Sequence, residues 1–163
     1  MQVLVTGSRG RIGSVIVEQL QAAGHSVVEF DRVLGDDMRD GAAVRAAAQG
    51  CDAIIHLASL LGSPKDDPDE TMSVGLQGTW HVLMAAKEAG AKRVISFSSV
   101  NALGIFMGQH APDYFPIDDD HPPRPAHSLL SPAKGGRCHR WRWRVHRGNK
   151  AAWSIQADWG LAP

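Results

Sequence analysis

The chain is poor in tyrosine, cysteine and long apolar runs, and each scarcity excludes something. Its 163 residues include one tyrosine, Tyr114, and two cysteines, Cys51 and Cys138. Two thiols give no disulfide framework, so a packed core must hold the fold, and a reducing cytoplasm is the expected compartment. No apolar run approaches the roughly 18 residues that a membrane span needs, so no membrane partner is expected. The opening "MQVLVTGSRG" is a strand running into a glycine turn, not a signal peptide. Cys138, His139 and His146 fit no zinc spacing, so no metal is expected. What remains is ordinary for a soluble globular protein: 44% apolar and 21% charged residues, and enough length for one domain or a domain plus a tail.

The formal net charge of zero conceals a division. Residues 1–126 carry 10 Lys and Arg against 16 Asp and Glu, a balance of −6. Residues 127–163 carry 7 against 1, a balance of +6, and hold four of the five tryptophans. This places a boundary near Ala126, with an irregular, basic, Trp-rich tail beyond it.

The acidic part alternates strand and helix. "QVLVT" reads as a buried parallel strand. Ile12, Val15, Ile16, Leu20 and Ala23 recur at helical spacing, and Gly24 stands where a helix C-cap belongs. "HSVVEFD", "CDAIIHLAS" and "AKRVISFSS" give three further strands. "DGAAVRAAAQG" and residues 69–89 give two further helices. Such alternation predicts an α/β fold, a doubly wound Rossmann-type parallel sheet covered on both faces.

The first turn, "TGSRGRIG", has glycines at 7, 10 and 13. Gly7 permits the tight strand-to-helix turn. Gly10 lets the backbone approach a pyrophosphate, and Gly13 lets the helix pack close to the strand. The helix N-terminus offers unpaired N–H groups and partial positive charge to phosphates. Asp31 closes the second strand, 18 positions after Gly13, where its carboxylate can accept from an adenosine ribose. The alternative for Asp31 is a plain strand-end turn residue. Its charge favours NAD; Arg9 and Arg32 keep NADP as the less favoured alternative, since either could reach a 2′-phosphate. His56, ending a buried strand, reads as a structural histidine.

In this context T-G-x-x-G-x-x-G resembles the signature of the extended short-chain dehydrogenase/reductases, the NAD-dependent epimerase/dehydratase family, and among them the UDP-glucose 4-epimerase-like oxidoreductases. The likeness runs over residues 1–126. "GDDMRD" is similar to the family segment that holds the adenine, which points to Asp37 and Met38. "HLAS" is similar to the strand end lining the cofactor, which points to Leu57, Ala58 and Ser59. The family's glycine-turn contacts fall on Gly7, Arg9, Gly10, Arg11, Ile12 and Gly13. "GLQGTWHVLMAAKEAGAKRVISFSS" looks like the next helix and strand, with Ser99 at the position of the family's substrate-orienting serine. The resemblance implies hydride transfer between a nicotinamide and a hydroxyl or carbonyl carbon. It implies a nucleotide-sugar-like small-molecule substrate, pairing into a homodimer, and no nucleic acid. It also implies a tyrosine base whose phenol is acidified by a lysine four residues on.

Two positions depart from the family. Gly75 stands where an asparagine is usual. Lys134 is present in "AHSLLSPAK", but Leu130 occupies the tyrosine position, and leucine exchanges no proton. A reading-frame change near His127 accounts for both this and the altered composition: His-Ser-Leu-Leu encoded CAC-TCC-CTA-CTC reads Thr-Pro-Tyr-Ser once the first base is lost. On that reading residues 127–163 are non-native, the substrate domain is missing and catalysis is impaired, which leaves a non-catalytic dinucleotide-binding fragment as the alternative. A third reading takes Arg140, Trp141, Arg142, Trp143 and Arg144 as a surface for single-stranded nucleic acid or an anionic membrane.

Overall fold

The computed structural model describes residues 1–60, 67–99, 103, 105 and 110–122, together with the backbone of strands at 142–145 and 153–156. In chain order the elements are β1 (Gln2–Thr6), α1 (Gly13–Ala22), β2 (Ser26–Phe30), a 3₁₀ turn (Arg32–Leu34), α2 (Gly41–Ala48) and β3 (Ala53–His56). These are followed by α3 (Pro68–Met72), a π turn (Ser73–Gln77), α4 (Gly78–Ala89), β4 (Arg93–Phe97), β5 (Arg142–Val145) and β6 (Trp153–Gln156).

The strands form one sheet in the order β2-β1-β3-β4-β6-β5. The first four run parallel, with β1 between β2 and β3. The strand order therefore reverses beside β1, and an α/β sheet binds ligands in the crevice outside the carboxyl ends at such a reversal. β6 pairs antiparallel with both β4 and β5. Two segments of the tail that the sequence reading left irregular thus extend the sheet.

Strand alternation distributes the core. Leu4, Ile54 and Val94 lie in register across β1, β3 and β4, and pack with Val44 and Ala48 of α2 and Val82, Ala85 and Ala86 of α4. Val3 and Val5 point the other way, onto Val17 of α1. Each fully buried Leu, Ile or Val contributes about 1.5–3 kcal/mol. The small alanines of α2 and α4 let those helices come close. Asp40 caps α2, accepting from the N–H groups of Ala42 and Ala43 at 2.9 and 3.1 Å.

The helix expected over residues 69–89 is present, but the π turn interrupts it at Gly75. Wider winding there breaks the regular ladder, and the Thr79 hydroxyl donates to the Gly75 carbonyl at 2.6 Å. Among the described residues no helix is long and apolar enough to cross a membrane.

Candidate functional site

The glycine turn lies in the crevice between β1 and β3. Gly7 adopts φ +71°, and its N–H donates to the Phe30 carbonyl at 2.8 Å, tying the turn to the end of β2. A Cβ on Gly7 would lie 2.7 Å from the Ala58 nitrogen, and one on Gly13 only 2.0 Å from the Gly7 oxygen. Neither position has room for a side chain. Gly10 differs, because a Cβ there would meet one atom, the Gly7 oxygen, at 3.2 Å. Its outer side is open. No side chain caps α1 at Ile12, and the first turn of α1 holds no acidic residue. The Ser14 N–H donates to the Gly10 carbonyl at 3.0 Å, and the start of α1 turns its dipole toward an anion beside Gly10.

From this turn a cleft of about 130 Å³ runs toward the end of β2. Of the residues singled out by sequence, Gly7, Asp31, Arg32, Asp37, Met38, Ala58 and Ser59 line it. Arg9, Gly10, Arg11, Ile12 and Gly13 belong to the turn and the start of α1. Leu57 packs instead toward the α1 side of the sheet. Phe30, Asp36, Arg39, Leu60, Glu70 and Val74 complete the lining, and sequence reasoning did not assign any of them.

The cleft is acidic, its wall carrying four carboxylates and two guanidiniums. Asp31 has a fixed geometry: one oxygen accepts from the Arg9 N–H at 2.9 Å, the other from the Val33 N–H at 3.0 Å. A carboxylate has about four acceptor sites, so each oxygen retains one. Asp31 is thus both the turn residue and an available acceptor. Asp37 binds the Arg39 guanidinium, at 2.6 Å for the shortest contact, and this hydrogen bonding holds its carboxyl below the ordinary carboxylate value. Arg9 pairs with Glu29 at 2.9 Å, and Arg32 with Glu70 at 3.6 Å. Both cations that kept NADP open already face carboxylates.

Met38 is buried, and its carbonyl accepts from His81 Nδ1 at 2.9 Å, which anchors the loop before α2 to α4. Behind the crevice His56 is buried as expected. The Ala58 N–H donates to Thr6 Oγ1 at 3.4 Å, and Thr6 Oγ1 lies 2.7 Å from His56 Nδ1. His56 Nε2 lies 3.1 Å from Thr79 Oγ1, whose proton is committed to the Gly75 carbonyl. These bonds are mutually consistent when His56 is neutral with its proton on Nε2. This chain joins the ends of β1 and β3 to the π turn.

Ser99 follows β4 at the same edge of the sheet. Lys134, Leu130, Cys138, His139, Arg140, Trp141 and His146 lie outside the described residues. Tyr114 lies in a separate loop, where its hydroxyl donates to Asp118 at 2.7 Å and its ring meets His121 at 5.0 Å. That carboxylate hydrogen bond pushes the Tyr114 phenol up to about 12, away from the acidification a phenolate base requires.

With this geometry in view, the family model described as "NAD dependent epimerase/dehydratase family" matches residues 3–128. The chain belongs to that family. Members similar to it include the uronate dehydrogenase of Pseudomonas syringae pv. tomato, 29% identical over 76% of this chain and 47% of the relative. The UDP-glucose 4-epimerase of Mycolicibacterium smegmatis is 31% identical over 77% of this chain and 46% of the relative. A solved short-chain dehydrogenase/reductase superfamily protein from Agrobacterium tumefaciens, with bound NAD, superposes with TM-score 0.71 at 31% identity, over 82% of this chain and 42% of that one. The chain spans less than half the length of these proteins. A Rossmann-type sheet with flanking helices is the fold common to this family and the described residues.

Proposed function

We propose that residues 1–126 are the NAD-binding half of an epimerase/dehydratase-type oxidoreductase, and that proton transfer by this chain is impaired. The glycine turn carries the reading. It is closed to side chains at Gly7 and Gly13 and open at Gly10, beside the uncapped start of α1. The NAD-bound Agrobacterium relative and the acidic cleft support NAD over NADP.

The residues divide the work. Gly7, Gly10 and Gly13 receive the pyrophosphate, flanked by Arg9, Arg11 and Ile12. Asp31 takes the ribose hydroxyls on its two remaining acceptor sites, beside Arg32. Asp37 and Met38 hold the adenine, and Leu57, Ala58 and Ser59 line the path to the nicotinamide. When bound, NAD exchanges hydride with a hydroxyl or carbonyl carbon of the substrate. Relatives named uronate dehydrogenase and UDP-glucose 4-epimerase support a sugar-like substrate. Ser99 orients its hydroxyl. Lys134 has no phenol to acidify, because Leu130 stands where the tyrosine belongs and Tyr114 is held protonated. A frame change near residue 127, a cytoplasmic location and a homodimer complete the reading.

The test is NADH fluorescence titration of the full chain, followed by turnover assays with UDP-glucose and a hexuronate. NADH binding is expected, with turnover about 10²- to 10⁴-fold below a common enzyme rate of about 10 s⁻¹. Absent NADH binding contradicts the cofactor assignment. Turnover at the ordinary rate contradicts the impairment.

A further inference from the structure

Glu70 reaches the cleft from α3, far in sequence from the strand end that holds Asp31. Its carboxylate lies 3.6 Å from Arg32 and 3.9 Å from Arg39. Arg39 is also engaged by Asp37, whereas Arg32 has no other ion pair among the described residues. All four side chains line the same small cleft as Asp31. Arg32 follows Asp31 directly, and its side chain is 78% exposed. A guanidinium so placed is free to turn toward a phosphate on the ribose, and it is the natural recognition group for one.

We propose that Glu70 is a specificity-determining residue for the dinucleotide, acting through Arg32. The inference rests on the NAD-binding reading above. Asp31 repels a 2′-phosphate directly, at the ribose. Glu70 acts at one remove, by occupying Arg32, the cation that would otherwise receive that phosphate. Specificity then has two parts, a missing attraction as well as a repulsion. The pairs are solvent-exposed and long, so the effect is moderate.

The experiment is calorimetric titration of the full chain and of Glu70→Gln with NAD⁺ and with NADP⁺, adding Arg32→Ala and the double variant. Circular dichroism and urea unfolding report whether each variant folds. Glu70→Gln is expected to raise the NADP⁺-to-NAD⁺ affinity ratio about fivefold. The gain should fall as salt rises. It should vanish in the double variant, because Arg32 carries it. An unchanged ratio in Glu70→Gln overturns the proposal, and so does a gain that survives loss of Arg32. A wild-type chain that binds neither nucleotide overturns the NAD-binding reading itself, a distinct result from an unchanged ratio.

Discussion

Asp31 and Asp118 are both carboxylates in loops, and they hold different kinds of partner: backbone N–H groups at Asp31, a side-chain hydroxyl at Asp118. Asp31 is held by the Arg9 and Val33 N–H groups with acceptor sites to spare, on the wall of the cleft beside the glycine turn. Asp118 accepts the hydroxyl proton of Tyr114 and keeps that phenol protonated. Holding a dinucleotide depends mainly on backbone: three glycines, a helix start and the ends of parallel strands. Moving a proton depends on one side chain of the right kind. The described residues supply such a turn, helix start and strand ends, whereas the one tyrosine of the sequence, Tyr114, donates its hydroxyl to Asp118. On the proposed function, a cofactor site persists in a chain that lacks its proton-transfer group.

The contrast can be broken first at the glycines. Gly13→Ala forces a Cβ to within 2.0 Å of the Gly7 oxygen, so backbone must shift. We expect a loss of about 3 kcal/mol or more in urea unfolding, with cofactor binding lost as a consequence. Gly10→Val should separate binding from folding, because its side chain enters open space. NAD affinity should drop about 100-fold or more in calorimetry, while the circular dichroism spectrum stays unchanged.

The Thr79→Val variant removes the hydroxyl that donates to the Gly75 carbonyl and lies 3.1 Å from His56 Nε2. A cost of about 2 kcal/mol in thermal or urea unfolding is expected. Asp31→Ala removes a charged acceptor and should weaken NAD binding about tenfold, and NADP less.

The smallest effect sharpens the other side of the contrast. With one tyrosine, phenolate absorbance titrates a single group, although the tryptophans contribute background. The midpoint should lie near 12, and Asp118→Asn should move it back toward the ordinary value of about 10. The sign follows from linkage. A folded-state value above the unfolded one means that the Tyr114–Asp118 contact adds stability below pH about 10, lost as pH rises through about 12. Asp118, whose value is lowered chiefly by the same hydrogen bond, adds stability above its ordinary value, lost on acidification.

How much was legible follows from what kind of constraint each residue obeys. Gly7 and Gly13 were singled out by their spacing between a strand and a helix, and they stand where no Cβ fits. Asp31 was found because it ends a strand whose partner opens the glycine turn. The parallel sheet of β1 to β4 followed from alternating strand and helix periods, whereas their order came from the fold. Glu70 and Asp36 were missed because only tertiary folding brings them to the cleft. The π turn was hidden in a helical pattern that continued through Gly75, an unusual residue but not a predictable kink. The strand at Arg142–Val145 did carry a signal, the two-residue alternation of Arg-Trp-Arg-Val, which composition overshadowed.

The most direct test of the central claim is calorimetric titration of the purified full chain with NAD⁺, beside Gly10→Val. The account predicts saturable binding by the wild type and none by a folded valine variant. No binding by a folded wild-type chain, or equal binding by both, would contradict it.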